Sequence, residues 1–302
     1  MSRPLPIAVV QATTTPLHTP ISAFSEEVER VVAGFPQARL VVHPELHITG
    51  LATDDDTMQE LAEPLDGPRV KTLRELAADL GVWLVPGSFY ERAQDGGVYN
   101  TTALISPEGE LSGTYRKMFP WRPYERCLPG TGFVVADMAG FGRVGLSICY
   151  DSWFPEVARH LAWMGAEVII NPTLTPTSDR AQELVLARAQ AIVNQVFVVS
   201  VNGAAPSGRG HSIIVDPEGL VRAEAEESPT VLTDVLDLDH VTTVRRYGTS
   251  ALNRMWQQMQ PGDVPIELPL YGGRMDPDTW GVQGTDTTSD GRAGDRPGDV
   301  PA

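Results

Sequence analysis

Short apolar runs rich in valine and isoleucine alternate with amphipathic segments along most of this chain. We predict that six of these runs form buried strands: residues 5–10, 40–42, 82–85, 143–148, 168–170 and 197–201. In the segments between them, apolar residues recur every three or four positions, which is the period of a helix that buries one face. This alternation predicts an α/β fold in which helices cover the sheets.

Three helices are predicted from this period and from their end signals. One begins at Pro68 and ends at Gly81, because proline is favoured in the first turn and glycine just past the last turn. A second follows Pro155 in the same manner, and a third carries Leu184, Ala187 and Ala191 on one side. The sequence Pro-Glu-Gly at 107–109 and at 217–219 follows strand-like runs and predicts two hairpins, so the sheets are expected to be mixed.

The chain has 302 residues, which is enough for one large α/β domain or two small ones. From about Gln260 onward the apolar periodicity gives way to glycine, aspartate, threonine and proline. We therefore predict a globular domain over residues 1–260, an extended arm over 261–281 and a disordered acidic tail over 282–302.

Acidic side chains outnumber basic ones by 39 to 23, which gives a net charge of -16. Nucleic acid and anionic membrane surfaces are bound through basic residues, so the charge argues against both as partners. No run approaches the roughly 18 apolar residues of a membrane helix, and the short N-terminal apolar stretch argues against a signal peptide. Two cysteines make no disulfide framework, so we predict a reducing, cytoplasmic location.

Cys149 lies where a buried apolar run ends and a helix is about to begin. Open α/β sheets bind ligands outside the carboxyl ends of their strands, and a helix N-terminus favours a thiolate. The alternative is a cysteine that only fills space in the core. That alternative is preferred for Cys127, which lies in a loop without a strand end or an adjacent base.

A nucleophilic thiol needs a base, and none of the six histidines lies in a signature typical of thiol enzymes. Glu45, in LVVHPELHITG, also follows a buried run, and a carboxylate in an apolar setting can act as a base. His43 and His47 loosely resemble the zinc-binding helix motif, but Pro44 excludes a helix there. We therefore predict that no metal binds and that these histidines have a surface role.

Lys117 lies in GTYRKMFPWRPYERCLPG, a loop unusually rich in large apolar side chains. A lysine is normally solvated, but an ammonium group held in such a loop and paired with carboxylates can stabilise an oxyanion. Glu125, eight residues further on, is a candidate partner. Its alternative is a surface ion pair with Arg122 or Arg126.

The motifs HPE around Glu45, YRK at Lys117 and ICYDSWFPE around Cys149 occur in the order typical of one family. Together they resemble the nitrilase superfamily of carbon–nitrogen hydrolases, and the resemblance runs from Ile7 to the arm before the tail. It implies an α-β-β-α sandwich that pairs into α-β-β-α-α-β-β-α homodimers or larger homo-oligomers. It also implies a small-molecule amide substrate and no cofactor or metal.

The segment PWRPYERCLPG after the lysine is similar to that of aliphatic amidases and formamidases. The resemblance assigns these roles: Glu45 is the general base, Lys117 the oxyanion binder, Cys149 the nucleophile, Glu125 the second carboxylate and Trp121 a wall of the substrate pocket. The backbone N–H of Tyr150 is expected to help bind the oxyanion. Trp153 follows in the same motif, and the strand-end rule adds Asn171 and Thr173 as candidates to line the substrate pocket.

Three departures from the motifs of related enzymes narrow the class of substrate that we expect. Tyr150 and Asp151 replace the Trp-Glu of nitrilases, which disfavours nitriles. Trp153 stands where omega-amidase types have arginine, which disfavours half-amides of dicarboxylates, while Trp-Phe-Pro-Glu resembles carbamoylputrescine amidases and keeps cationic carbamoyl substrates open. Leu46 replaces a tyrosine found in some aliphatic amidases, which argues against very small substrates.

We predict a thiol hydrolase that cleaves a small linear amide to a carboxylic acid and ammonia through a cysteine thioester. The alternatives within the same family are an N-carbamoyl amine hydrolase, a nitrilase and an amide-forming acyltransferase. The non-enzymatic alternative is a binding protein that has this fold but no catalytic activity.

Overall fold

Residues 2–268 and 270–274 are described in a computed structural model. The strands are β1 (Pro4–Gln11), β2 (Leu40–Val42), β3 (Trp83–Val85), β4 (Ser88–Arg92), β5 (Val98–Ile105), β6 (Leu111–Arg116), β7 (Val134–Met138), β8 (Gly142–Leu146), β9 (Val168–Thr173), β10 (Phe197–Asn202), β11 (Ile213–Val215), β12 (Val221–Glu224) and β13 (Thr230–Asp237). The α-helices are α1 (Ile21–Gly34), α2 (Asp55–Leu61), α3 (Pro68–Leu80), α4 (Pro155–Trp163), α5 (Arg180–Asn194) and α6 (Asp239–Tyr247). Short 3-10 helices span Cys149–Trp153, Thr249–Ala251, Met255–Gln257 and Leu270–Gly273.

The strands form two mixed sheets. The first has the order β13-β1-β2-β3-β5-β4, with β6 also paired to β5, and the second has the order β12-β11-β10-β9-β8-β7. Parallel pairing joins β1, β2 and β3 in the first sheet and β8, β9 and β10 in the second. Antiparallel hairpins extend both sheets, including the β5–β6 and β11–β12 pairs predicted from the two Pro-Glu-Gly turns.

Alternate residues of the central strands face opposite layers. In β1, Ile7 and Val9 join the core between the two sheets, whereas Ala8 and Val10 pack with residues of α1 and α3. Helices α4 and α5 cover the outer face of the second sheet in the same way. Strands covered on both faces are apolar throughout, which is why they were recognisable as continuous runs. The predicted α-β-β-α sandwich is therefore confirmed.

The predicted elements match the observed ones closely, with one informative difference. Helix α3 begins at Pro68 and is followed by Gly81 in the left-handed conformation (φ 64°), as the end signals predicted. The fourth strand was expected to reach residue 148, but β8 ends at Leu146. The chain leaves the sheet there and enters the 3-10 helix at Cys149, whose own φ is 47°.

The chain divides into two compact units, Met1–Trp256 and Gln257–Ala302. In the second unit residues 261–268 of the predicted arm are exposed, and the predicted tail, 282–302, lies outside the described residues. Within 2–268 and 270–274, none of the helices has both the length and the hydropathy that crossing a bilayer requires.

The packing between the sheets predicts a large cost for a cavity there. Leu104 is fully buried in the core shared by both sheets, so Leu104→Ala should lower the free energy of unfolding by about 2–5 kcal/mol in urea denaturation. Leu220→Ala is the matched control: this leucine is 62% exposed, so its loss should change stability by no more than about 0.5 kcal/mol. Equal effects of the two substitutions would contradict the layer arrangement.

Candidate active site

Three separate turns place the predicted chemical groups in one buried site. Glu45 follows β2 and Lys117 follows β6, both in the first sheet, whereas Cys149 follows β8 in the second sheet. Their exposed fractions are 3% for Glu45, 2% for Lys117 and 9% for Cys149. The structure thus brings together three residues that lie far apart in the sequence.

Lys117 lies between two carboxylates. Its Nζ donates to Glu45 Oε1 at 2.9 Å and to Glu125 Oε2 at 2.6 Å. Asn100, on β5, donates from one amide nitrogen to Glu45 Oε1 at 2.8 Å and to Glu125 Oε1 at 2.9 Å. Glu125 is thus a partner of Lys117, as predicted, and the four side chains form one connected network.

Arg126, one of the two arginines considered as a surface partner for Glu125, pairs with a different carboxylate. Arg126 Nη1 lies 3.2 Å from Asp55 Oδ2, so the neighbouring arginine is paired with helix α2. Glu125 instead turns inward and also accepts a hydrogen bond from the backbone N–H of Trp121 at 2.9 Å. This contact fixes the loop that carries Trp121 to the buried network.

The surroundings separate the pKa values of the two carboxyl groups. Burial raises the pKa of Glu45, and the nearby charge of Glu125 raises it further against the opposing effect of Lys117. Burial also acts to raise the pKa of Glu125, but Lys117 and the hydrogen bond from Asn100 outweigh it and lower that pKa. Glu125 therefore stays ionised, and Glu45 is the carboxylate better suited to take up a proton.

The pKa of Lys117 lies well above its usual value. Burial alone would lower it, but the charges of Glu45 and Glu125 outweigh that effect. The ammonium group is therefore charged in the resting site.

Cys149 has a left-handed backbone (φ 47°), a conformation that costs a residue with a side chain of order 1–3 kcal/mol. The nearby backbone N–H of Leu174 acts to lower the pKa of its thiol. Burial raises the pKa of Cys149 well above its usual value, and the charge of Glu45 adds to this. The expectation that a helix start would favour a resting thiolate is therefore wrong: desolvation dominates, and the thiol keeps its proton beside a carboxylate.

Asp151 ties the cysteine turn to the lysine loop. Its buried carboxylate accepts hydrogen bonds from Tyr115 Oη at 2.7 Å and from the backbone N–H groups of Ile148 and Phe119, both at 2.9 Å. Tyr115 lies in β6, two residues before Lys117. One side chain thus links the segments that carry the nucleophile candidate and the ammonium group.

The segment around Glu45 is equally fixed. Leu46 is left-handed (φ 49°), and its N–H donates to Ser88 Oγ at 3.0 Å. His43 and His47 are fully buried rather than at the surface, so that prediction is wrong. The reason is Glu27 on α1, whose two carboxylate oxygens lie 3.5 Å and 3.0 Å from their Nε2 atoms.

The aromatic residues predicted to contact substrate lie around the loop and the cysteine turn. Trp121 is 36% exposed and its ring centroid lies 4.5 Å from that of Tyr124. The half-buried Tyr150 and Trp153 rings lie 6.1 Å apart, and Trp153 Nε1 donates to Glu183 Oε1 at 3.4 Å. Their contact with substrate stays a prediction.

Asn171 and Thr173 are buried next to Cys149 at the end of β9. The Asn171 amide donates to the Cys149 carbonyl oxygen at 3.5 Å and to Thr173 Oγ1 at 3.2 Å. The Thr173 carbonyl oxygen accepts from the backbone N–H of Glu45 at 3.4 Å. These contacts connect the nucleophile turn with the base turn, while a role in binding substrate stays a prediction for both residues.

Sequence reasoning missed Asn100, Thr175 and Glu183. Asn100 lies inside a strand, where the sequence carries no signal that its amide meets two carboxylates. Thr175 Oγ1 lies 3.9 Å from Cys149 Sγ and donates to Glu183 Oε1 at 3.0 Å. The strand-end rule that selected Thr173 would have found Thr175 if applied two residues further.

The amino-acid sequence of this chain is similar to those of known proteins. A family model described as carbon-nitrogen hydrolase matches residues 6–246. The deaminated glutathione amidase of Homo sapiens is 33% identical over 264 residues, which are 80% of this chain and 79% of that protein. A formamidase of Bacillus cereus (strain Q1) is 34% identical over 205 residues, which are 67% of this chain and 61% of that protein.

A solved structure matches it in fold. An amidase of the nitrilase superfamily from Nesterenkonia sp. AN1 superposes with a TM-score of 0.68 at 25% identity, covering 81% of this chain and 94% of that one. This crystal structure is of a glutamate-to-glutamine mutant and shows covalent addition of the acetamide moiety of fluoroacetamide at its active-site cysteine. The resemblance inferred from the three motifs is therefore confirmed.

The network predicts that removing the ammonium group destabilises the fold in a pH-dependent way. Lys117→Met leaves the buried Glu45 and the partly buried Glu125 without a cation, which should cost about 3–5 kcal/mol near pH 8 in urea denaturation. Burial then raises their folded pKa values above the unfolded ones, so the folded state binds more protons and stability falls as pH rises. The deficit should accordingly be smaller near pH 5.

Lys71→Met is the matched control, because Lys71 is exposed and its Nζ lies 3.9 Å from Glu75 at the surface. It should cost less than about 0.5 kcal/mol at either pH. A Lys117→Met deficit that stays constant or grows toward acid pH would contradict the assignment of the buried charges.

Proposed function

The chain belongs to the carbon–nitrogen hydrolase family of the nitrilase superfamily, and on that premise we propose that it hydrolyses a small linear amide through a thioester on Cys149. The products are a carboxylic acid and ammonia. The observation that carries the proposal is the burial of Cys149, Glu45 and Lys117 in one site, where Lys117 Nζ donates to Glu45 Oε1 at 2.9 Å and burial raises the pKa of Glu45.

Acylation begins when Glu45 takes the proton of the Cys149 thiol and the sulfur attacks the amide carbon. The carbonyl oxygen gains a negative charge, which Lys117 Nζ and the backbone N–H of Tyr150 stabilise. Protonated Glu45 then returns its proton to the amide nitrogen. The C–N bond breaks, ammonia leaves and the thioester remains.

Deacylation uses the same carboxylate. Glu45 takes a proton from a water molecule, and the resulting hydroxide attacks the thioester carbon. The oxyanion forms again beside Lys117, the C–S bond breaks, and the thiolate recovers its proton from Glu45. Glu125 holds Lys117 in place throughout, and Asn100 holds Glu45 by donating to both Glu45 and Glu125.

The charges near the thiol favour a neutral or cationic acyl group. Lys117 is paired with two carboxylates, and Arg180 Nη1 lies 2.9 Å from Glu183 Oε2. Trp153 donates to that same Glu183, so an aromatic ring and a carboxylate lie where an anionic acyl group would require a cation. The formamidase and the fluoroacetamide adduct of the relatives support a small uncharged amide as substrate.

The predicted location and assembly complete the proposal. Cys127 and Cys149 are both free and buried, which supports a reducing, cytoplasmic compartment. Trp163 on α4 and Val185 and Val193 on α5 are exposed apolar side chains on the outer face of the second sheet's helical layer. Such side chains support a homodimer or larger homo-oligomer formed through that layer.

Intact-mass measurement of the parent chain and of the Glu45→Gln variant tests the chemistry. In the parent chain, acid quenching during turnover of simple aliphatic amides should trap an acyl adduct on Cys149. The Glu45→Gln variant lacks the base that both half-reactions require, so it should show no acyl adduct and no turnover. The panel should include a nitrile and an N-carbamoyl amine, because the mass added identifies the acyl part. An adduct formed only with the nitrile or only with the N-carbamoyl amine would show that this class, and not the amide, is the substrate.

Cys149→Ala should form no adduct and lose turnover while keeping its fold. Cys127→Ala is the control, because Cys127 packs with its Sγ 3.7 Å from Met58 Sδ and takes no part in the reaction. It should form the same adduct as the parent chain. Turnover retained in Cys149→Ala would exclude the thioester.

The pH dependence of kcat/KM follows from the charges around Glu45. The reactive form has Glu45 ionised, so activity should rise with pH through a pKa above the usual 4.5. Because the charge of Glu125 helps to raise that pKa, Glu125→Gln should move the acid limb to lower pH. Glu110→Gln, which changes an exposed carboxylate, is the control and should leave the limb unchanged. A shift to higher pH in Glu125→Gln would contradict this reading.

A further inference from the structure

A hydroxyl group lies against the sulfur of Cys149 in addition to Glu45. Thr175 Oγ1 is 3.9 Å from Cys149 Sγ, and the nearby N–H of the preceding residue, Leu174, acts to lower the pKa of the thiol. Thr175 is buried, like Cys149 itself. The segment just past β9 thus offers the sulfur one amide hydrogen and one hydroxyl group.

The backbone of Thr175 is held from β10. Its N–H donates to Asn202 Oδ1 at 2.8 Å, and Asn202 Nδ2 donates back to the Thr175 carbonyl oxygen at 3.2 Å. Asn202 is fully buried and also donates to the Gly210 carbonyl oxygen at 2.9 Å. A side chain that clamps both polar groups of one residue fixes where its hydroxyl points.

The hydroxyl itself is held by Glu183 on α5. Thr175 Oγ1 donates to Glu183 Oε1 at 3.0 Å, and Trp153 Nε1 donates to the same oxygen at 3.4 Å. The other oxygen, Oε2, pairs with Arg180 Nη1 at 2.9 Å. Arg180 and Glu183 are only 2% and 5% exposed, so this is an ion pair inside the protein.

Arg180 is anchored independently of Glu183. Its Nη1 donates to Ser200 Oγ at 3.0 Å and its Nη2 donates to the His211 carbonyl oxygen at 2.7 Å. The carboxylate of Glu183 would therefore keep the Arg180 and Trp153 hydrogen bonds if Thr175 turned its hydrogen elsewhere. Thr175 can therefore turn its hydroxyl hydrogen to the sulfur of Cys149 without leaving Glu183 unpaired.

We propose that Thr175 is a catalytic residue that donates a hydrogen bond to the Cys149 thiolate, and that Glu183, anchored by Arg180, is the positioning residue that holds it. The proposal rests on the proposed function in taking Cys149 as the nucleophile. A hydroxyl group has one hydrogen, which points to Glu183 while the sulfur is protonated. When the thiol proton moves to Glu45, the hydroxyl hydrogen turns to the sulfur, and only the S–H bond is broken.

Thr175→Val tests the donor, because valine has nearly the shape of threonine without the hydroxyl. The rate of Cys149 alkylation by iodoacetamide, followed by peptide mass spectrometry to separate it from Cys127, reports the apparent thiol pKa. Loss of the donor should raise this pKa by about one unit, which is a tenfold slower alkylation at a fixed pH below it. Thr175→Ser should restore the parent profile, whereas a merely structural contact would leave the profile of both variants unchanged.

Thr101→Val is the matched control. Thr101 is buried and donates to Glu91 Oε2 at 2.6 Å, and Glu91 accepts from Arg116 Nε at 3.0 Å, so the same three residue types meet away from the sulfur. This variant should lose comparable stability but keep the parent alkylation profile. A Thr175→Val profile that coincides with those of the parent and of Thr101→Val would overturn the proposal while leaving Cys149 as the nucleophile.

Glu183→Gln tests the positioning role by a different route. It removes a negative charge near the sulfur and weakens the competition for the Thr175 hydrogen, so the apparent pKa of Cys149 should fall. In the Thr175→Val background the same substitution should have a smaller effect, since no hydroxyl remains to be released. Equal effects in both backgrounds, or a rise in pKa, would exclude Glu183 from this role. Absence of Cys149 alkylation in the parent chain would instead contradict the proposed nucleophile.

Discussion

The placement of one ammonium group between two carboxylates inside the protein is the interaction on which the site depends. A buried charge is strongly unfavourable unless it is paired and hydrogen-bonded, and Lys117 achieves this only because Glu45 and Glu125 come within 2.9 Å and 2.6 Å of its Nζ. Asn100 donates to both carboxylates and so fixes the distance between them. Removing any one of these side chains leaves a buried partner unsatisfied, which makes the network a cooperative unit.

The sandwich architecture is what allows the cysteine to reach this unit. The carboxylates and the lysine belong to turns of the first sheet, and the thiol belongs to a turn of the second. Packing the sheets face to face brings these turns together without a long loop. Asp151 then locks them, because its carboxylate accepts from Tyr115 of the first sheet and from the backbone beside Cys149. The left-handed Cys149 lies directly after Ile148, whose N–H donates to Asp151, and the left-handed Leu46 donates its own N–H to Ser88 Oγ.

The sequence was sufficient for the elements and for the reactive groups, because both depend on local patterns. Apolar runs and proline–glycine signals predicted α3 and the two hairpins, and a strand end is a local feature that selected Cys149 and Glu45. The interactions that tune the site are not local. Asn100 donates to Glu45, which lies 55 positions away in the chain. His43 and His47 were assigned to the surface because no local pattern in the sequence indicates that Glu27 lies beside them. Only the folded chain shows these contacts.

Transfer of the thiol proton in this site moves negative charge without creating any. Before transfer Glu45 is ionised and Cys149 is neutral, and afterwards the charge lies on sulfur, while Lys117 and Glu125 are unchanged. The desolvation that raises the pKa of the thiol also raises that of Glu45, so burial does not by itself oppose the exchange between them. In the proposed mechanism the Thr175 hydroxyl favours the thiolate, and Lys117, which is already charged, favours the next step by stabilising the oxyanion. The proposed nucleophile is therefore a neutral thiol in the resting site, because burial raises the pKa of Cys149.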